Sequence, residues 1–359
     1  MERPHIAYID PLRLLACLSV VFMHTAADAL NYEVAQRPGW YALAAVSSLA
    51  FCAVPLFFMI SGYLLTNSPH TGDVGVLLKH RLPRLVIPLA FWSAAHIALT
   101  VIRTRDRSVT AIARSVLDAL QSPVNISFWF MYTLLALYLV SPVLCPGLRS
   151  LNRRGAIFIG SLIALLLLRS VGKILFPQFA ARWLSFDVLD SLELFGSNLC
   201  AFVLGWFLGR TKRRVPQLLL CVLALLLWGG ITAGTIVLSK RAGEYQAAFQ
   251  SQNAGFEVAL AACVFLLVKQ SRAARFPKIA RAAQTLAPLT FPVYLCHALL
   301  LRLLFAFRTP LSFLSVVACS AAVFAVSMLF AWCLSRIPLL SFLSCGILRK
   351  KREAPAQGA

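Results

Sequence analysis

Ten apolar stretches dominate this chain, near residues 12–30, 41–66, 83–103, 128–147, 155–172, 192–209, 215–238, 254–269, 284–307 and 312–337. Several exceed the ~18 residues that a helix needs to cross a bilayer core of ~30 Å. In hydrocarbon every backbone N–H and C=O has to be satisfied internally, which leaves helices or closed barrels. No stretch alternates apolar and polar residues with the period of an outer-membrane barrel strand. At 60% hydrophobic and 13% charged residues, the chain lies far from the balance of a soluble domain. The expectation is an all-α polytopic membrane protein, a bundle of about ten transmembrane helices. The first stretch sits where a signal peptide would. Its length, its lack of a convincing cleavage site, and its Arg13 and His24 favour a helix of the mature protein instead.

A net charge of +21 would suggest nucleic acid in a soluble protein. Here the basic residues fall mostly in short connectors between apolar stretches, so they read as a topology signal and no nucleic-acid partner is expected. An even number of spans puts both termini on one side. Alternate connectors carry Lys79, Arg81 and Arg84, then Arg149, Arg153 and Arg154, then Arg210 to Arg214, then Lys269 to Arg281. This places both termini in the cytoplasm and the protein in a bacterial inner (plasma) membrane. Residues 1–348 read as one integral membrane domain, and the basic tail 349–359 as disordered. The 104–127 connector puts Arg105, Arg107 and Arg114 on the opposite side, a counter-signal. Its apolar residues have helical spacing and suit an amphipathic helix on the membrane surface. Ten cysteines occur without a CxxC pair, mostly inside apolar spans, so they read as packing residues; no metal site is expected.

Inside the first stretch, LRLLACLSVVFMHTAA, Arg13 and His24 are eleven positions apart. At about 100° per residue both lie on one helix face, roughly 16 Å apart along the axis. Cys17 and Asp28 fall on the same stripe, and Asp10 borders it. Intramembrane ionisable groups cost at least ~2.5–3.5 kcal/mol each and normally face a bundle interior or a wet cavity. Imidazole suits a general base for a hydroxyl nucleophile, and a permanently charged guanidinium suits a phosphate or carboxylate. Taken alone, Arg13 also fits a snorkelling anchor beside Asp10, and His24 a satisfied core histidine.

Further candidates stand on other stretches. KHRLPRLVIP crowds Lys79, Arg81 and Arg84 at the start of the third span, where paired arginines could clamp a pyrophosphate or 3′-phosphate, or merely mark the cytoplasmic side. VPLFFMISGYLL places Pro55, Ser61 and Gly62 where a helix could kink or admit another helix or a ligand. SFWFMYTLLALYLVSP carries Trp129 and Tyr132, for which an aromatic belt is the default reading. FPVYLCHALL carries Tyr294 and His297 within one turn, a second candidate proton carrier. Glu193 and Glu257 lie near predicted outer ends and could orient a histidine or bind a polar substrate.

The Arg–(ten residues)–His spacing, the preceding Asp10, PLFFMISGYLL, the Arg81–Arg84 pair, FWFMYTLLALYL and YLCH follow one another as in the acyltransferase-3 family of integral membrane acyltransferases, which the chain resembles over nearly its whole length. DPLRLLACLSVVFMHT and FWFMYTLLALYLVSP resemble most the branch that includes the enterobacterial common antigen O-acetyltransferase. The resemblance implies an acyltransferase of class EC 2.3.1 that moves an acyl group, usually acetyl from cytoplasmic acetyl-CoA, to a hydroxyl of an envelope carbohydrate or glycolipid. It further implies roles for Arg13, His24 and His297 in catalysis and for Arg13, Arg81 and Arg84 in binding acyl-CoA, to which the basic cluster itself adds Lys79. Ser61, Trp129, Tyr132, Glu193 and Tyr294 complete the expected substrate-binding set. Pro11 departs from the small or aromatic residue that many relatives carry there. A transporter or flippase for a polar small molecule or glycan precursor, with the stripe as its path, is the rival reading.

Overall fold

The computed structural model describes residues 6–32, 34–179, 197–251, 254–271, 277–305 and 309–347, and among them it contains helices and turns but no strand. The helices are α1 (Ile9–Asn31), α2 (Pro38–Ala50), α3 (Ala53–Thr66), α4 (Pro83–Thr104), α5 (Val109–Gln121), α6 (Trp129–Ser150), α7 (Arg153–Leu175), α8 (Ser197–Arg210), α9 (Gln217–Ala242), α10 (Gly255–Gln270), α11 (Pro277–Leu286), α12 (Thr290–Leu304), α13 (Phe313–Arg336) and α14 (Pro338–Cys345). Among the described residues, eight helical stretches are long and apolar enough to cross a membrane, with α2 and α3, α5 and α6, and α11 and α12 each counting as one. The expected spans at 192–209 and 254–269 coincide with α8 and α10, which are shorter. The chain is thus an all-α, multi-pass membrane protein. The tail 349–359 lies outside the described residues.

Prolines set the breaks. Pro55 sits in the first turn of α3, and its ring would collide with the carbonyl of Phe51, four residues back. The helix accordingly parts at Phe51–Cys52 and restarts, with Leu56 N–H donating to the Cys52 carbonyl at 3.1 Å. Pro83 opens α4 directly after a wide π-type turn over Leu77–Arg81, closed by Leu82 N–H to the Leu77 carbonyl at 2.9 Å. Inside α4, Pro88 removes the donor that the Arg84 carbonyl would otherwise meet. Gly346 packs its Cα against that carbonyl; it terminates α14 at φ +64°, and a Cβ there would strike the Arg84 oxygen.

The tightest crossing joins α3 and α8. Gly62 lies against the backbone of Phe202, Gly205 against the backbone of Met59, and Gly209 against the ring of Tyr63, so no side chain larger than hydrogen fits at any of the three. Gly205 and Gly209 are four residues apart and share one face of α8, the small-xxx-small arrangement that lets backbones approach in lipid. Lys269 of α10 then closes the end of α8, its Nζ donating to the carbonyls of Leu208, Gly209 and Thr211 at 2.6, 2.8 and 2.8 Å. A cation there meets the negative end of the helix dipole and satisfies carbonyls that α8 itself leaves open. Around this crossing the core packs Leu12, Phe58, Met59, Phe128, Met131, Phe202 and Phe265, all fully buried.

The expected surface helix is α5. Ser108 caps it by accepting from Ala111 N–H at 3.3 Å, and it buries none of its residues. Val109 and Leu120 are 82% and 76% exposed, so the apolar side of α5 is left for lipid. The hydroxyl of Tyr132 on α6 donates to the Ala119 carbonyl at 2.8 Å and holds it in place. The α3–α8 crossing yields a direct test. Gly205→Ala should lose about 1–3 kcal/mol of stability. Gly229→Ala, where a Cβ meets open space, should hold or gain slightly through helix propensity. Thermal unfolding of the detergent-solubilised protein measures both.

Candidate active site

The α1 stripe faces α12. Cys17 lies with its thiol 3.5 Å from the Thr290 carbonyl, and about two turns further on the rings of His24 and His297 stand 5.4 Å apart, centroid to centroid. His297 is fully buried, and its Nδ1 is 2.6 Å from the Tyr294 carbonyl one turn back in α12. A carbonyl can only accept, so Nδ1 carries the proton and Nε2 keeps its lone pair. That Nε2 has no hydrogen-bond partner among the described residues. The Tyr294 hydroxyl donates across to the Ser127 carbonyl, and its ring lies 5.4 Å from Phe130. This tie fixes α12 against the start of α6 and thereby sets the height of His297.

His24 is half-buried and opens on a cavity of about 360 Å³, which it lines with Asp28, Arg103, Asn125, Ser127 and Arg302. The lining comes from the C-terminal ends of α1, α4 and α12 and from the turn that precedes α6. Arg84 and Arg103 are the two ends of α4, about 29 Å apart at 1.5 Å per residue. The histidine cavity and the Lys79–Arg84 cluster therefore lie at opposite ends of the bundle.

A third imidazole belongs to this region. His96 on α4 is fully buried, neither ring nitrogen has a hydrogen-bond partner among the described residues, and its ring meets Phe128 edge-on at 5.3 Å. It lies within electrostatic reach of His297 and Arg302. It stands outside the candidates read from the sequence. Its signal was available, a lone histidine inside the apolar run FWSAAHIALT.

Arg13 is half-buried near Asp10 and Tyr138. Between it and His24 on the same stripe, Cys17 and Val20 are buried, and the residues that line the His24 cavity do not include Arg13. Arg81 is engaged in structure. Its Nη1 donates to the Thr71 hydroxyl at 2.7 Å and its Nη2 to the Ser68 hydroxyl at 2.8 Å, while Arg149 donates to the Ser68 carbonyl at 3.2 Å. The two arginines together hold the turn after α3. Lys79 and Arg84 are exposed beside it.

The other candidates scatter. Ser61 is half-buried on α3 beside the Gly62 crossing, and Trp129 packs edge-on against Phe130 at 6.4 Å. Tyr132 anchors α5 and lines a separate, mostly apolar cavity of about 990 Å³ with Leu137, Val140 and Leu199. Glu193 lies outside the described residues. Glu257 is fully buried at the start of α10, with neither carboxylate oxygen hydrogen-bonded among the described residues, and it lies near Cys52 and Tyr245 rather than the histidines. Among the described residues no cluster of three or more His, Cys, Asp or Glu side chains could hold a metal ion.

Residues 6–332 match a family model described as an acyltransferase domain, acyltransferase-3. No curated protein matches the chain. No solved structure does either.

The two arginines of KHRLPR should separate in the laboratory. Arg81→Ala removes two charge-assisted hydrogen bonds and should cost about 1.5–3 kcal/mol of stability. Arg84→Ala, on an exposed side chain, should stay within about 0.5 kcal/mol. Thermal unfolding of the two purified variants reads the difference.

Proposed function

Because this chain belongs to the acyltransferase-3 family, we propose that it is a membrane O-acyltransferase that moves acetyl from cytoplasmic acetyl-CoA to a hydroxyl of an envelope carbohydrate or glycolipid. The observation that carries this reading is the pair of imidazoles, His24 and His297, 5.4 Å apart inside the bundle, with His24 bordering a cavity that Asp28, Arg103 and Arg302 also line. The acceptor type is that of the enterobacterial common antigen O-acetyltransferase branch, which the first and sixth helices resemble. Both termini are assigned to the cytoplasm of a bacterial inner membrane, from the connectors that carry Lys79 to Arg84, Arg149 to Arg154 and Arg210 to Arg214.

In this reading the donor approaches at the Lys79–Arg84 rim. Exposed Lys79 and Arg84 meet the CoA phosphates, Arg81 shapes the turn behind them, and Arg13 offers a guanidinium deeper along the bundle. The acceptor hydroxyl enters the cavity beside His24. His24 takes the hydroxyl proton as the oxygen attacks the thioester carbonyl, and the C–O bond forms. The tetrahedral centre then collapses, the C–S bond breaks, and the proton passes to the leaving thiolate. His297 holds its own proton on Nδ1 toward the Tyr294 carbonyl, so its Nε2 is available to steady His24 or to take up the proton in transit.

Radiolabelled acetyl-CoA and an envelope glycan fraction from a strain lacking the gene test the chemistry. His24→Ala and His297→Ala should each lower transfer by about 10²–10⁴-fold with folding retained. A wild-type rate from His24→Ala would remove it from the mechanism. In the deletion strain, mass spectrometry of the glycans should find one acetyl mass missing per modified sugar.

A further inference from the structure

The cavity beside His24 carries more fixed positive charge than a proton transfer requires. Arg103 and Arg302 both line it, from the last turns of α4 and α12. They are joined, since Arg103 Nη2 donates to the Arg302 carbonyl at 2.6 Å. The guanidinium of Arg302 has no hydrogen-bond partner among the described residues. Arg302 is half-buried and lies within electrostatic reach of His96, whose ring is fully buried. A helix C-terminus favours a cation in its last turn. That preference is met equally by a side chain pointing into solvent, and it does not explain why two guanidinium groups share one cavity with an imidazole.

The charge balance is explicit. Among the described residues the ionisable groups that line the cavity are Arg103, Arg302, one carboxylate (Asp28) and the imidazole of His24, set among apolar side chains such as Ile126, Leu301 and Phe305. Two guanidinium groups against one carboxylate leave an excess of one positive charge. The cavity, about 360 Å³, is at the small end of the ~300–1,000 Å³ typical of ligand pockets, which suits a single sugar unit. We propose that the acceptor is acidic: a carboxylate or phosphate on the sugar docks on Arg302 and Arg103 and brings a neighbouring hydroxyl to His24. Planar guanidinium groups bind both anions by paired hydrogen bonds, so the two sources share one chemistry. Asp28 opposes the anion and suits a hydroxyl of the same ring. The inference rests on the acyl-transfer reading for what happens at His24, but the anion site itself does not need acetyl-CoA.

Equilibrium binding to the purified full-length protein in nanodiscs of neutral lipid, without acetyl-CoA, tests it. The probes are methyl glucuronide, glucose 1-phosphate and methyl glucoside. At least one acid should bind tenfold or more tighter than the neutral glucoside, and which acid does so separates the carboxylate from the phosphate source. Arg302→Gln should bring the acid down to the level of the glucoside, and Arg302→Lys should restore part of the preference. Asp28→Asn should tighten the acid severalfold, a gain that misfolding cannot imitate. Equal binding of acid and neutral probes, no saturable binding of either acid, or an acid preference that survives Arg302→Gln would overturn the proposal. Acid-selective binding in a protein whose His24→Ala variant still transfers acetyl would leave the anion site standing and remove the acyl-transfer role of His24.

Discussion

An imidazole or guanidinium inside hydrocarbon has to be surrounded by protein or water, and that demand fixes how α1 sits. The stripe from Arg13 to His24 has to turn inward, and α12 is what it turns toward, with Cys17 against Thr290 and His24 against His297. Once α1 and α12 face each other, the rest of the region follows. The Tyr294 hydroxyl ties α12 to Ser127 ahead of α6, and Phe128 closes over His96 on α4. One ionisable stripe thus organises four helices that are far apart in sequence.

Architecture was legible to the extent that a single physical rule governed it. Length and apolarity marked the spans, and each of the ten expected stretches carries helix, although α8 and α10 are shorter than a full crossing. The amphipathic 104–127 connector was readable from spacing and became α5. Gly62 was readable as a place of close approach. Its partner was not, because Phe202 lies about 140 residues away and only packing brings its backbone to α3.

The site was legible by element rather than by atom. His24 and His297 could be named from their setting in apolar runs, but their apposition depends on a contact across 273 positions. His96 carried the same signal as His297 and stood without a neighbouring motif to draw the eye. Arg81 illustrates the opposite limit. Its place in a basic cluster suggested a ligand, whereas two hydroxyls behind it, Ser68 and Thr71, take up its guanidinium. Charge patterns reveal where cations gather, and only coordinates reveal which of them are already occupied.

The tether of α5 has a mechanical consequence. Its apolar side is exposed, it is anchored to α6 through Tyr132 and Ala119, and the chain that leaves it runs directly into Asn125 and Ser127 at the mouth of the histidine cavity. Lipid on its exposed apolar side and the Tyr132 tie to α6 therefore act together on the position of α5. The short link from Gln121 to Asn125 thus joins a lipid-facing helix to the rim of that cavity.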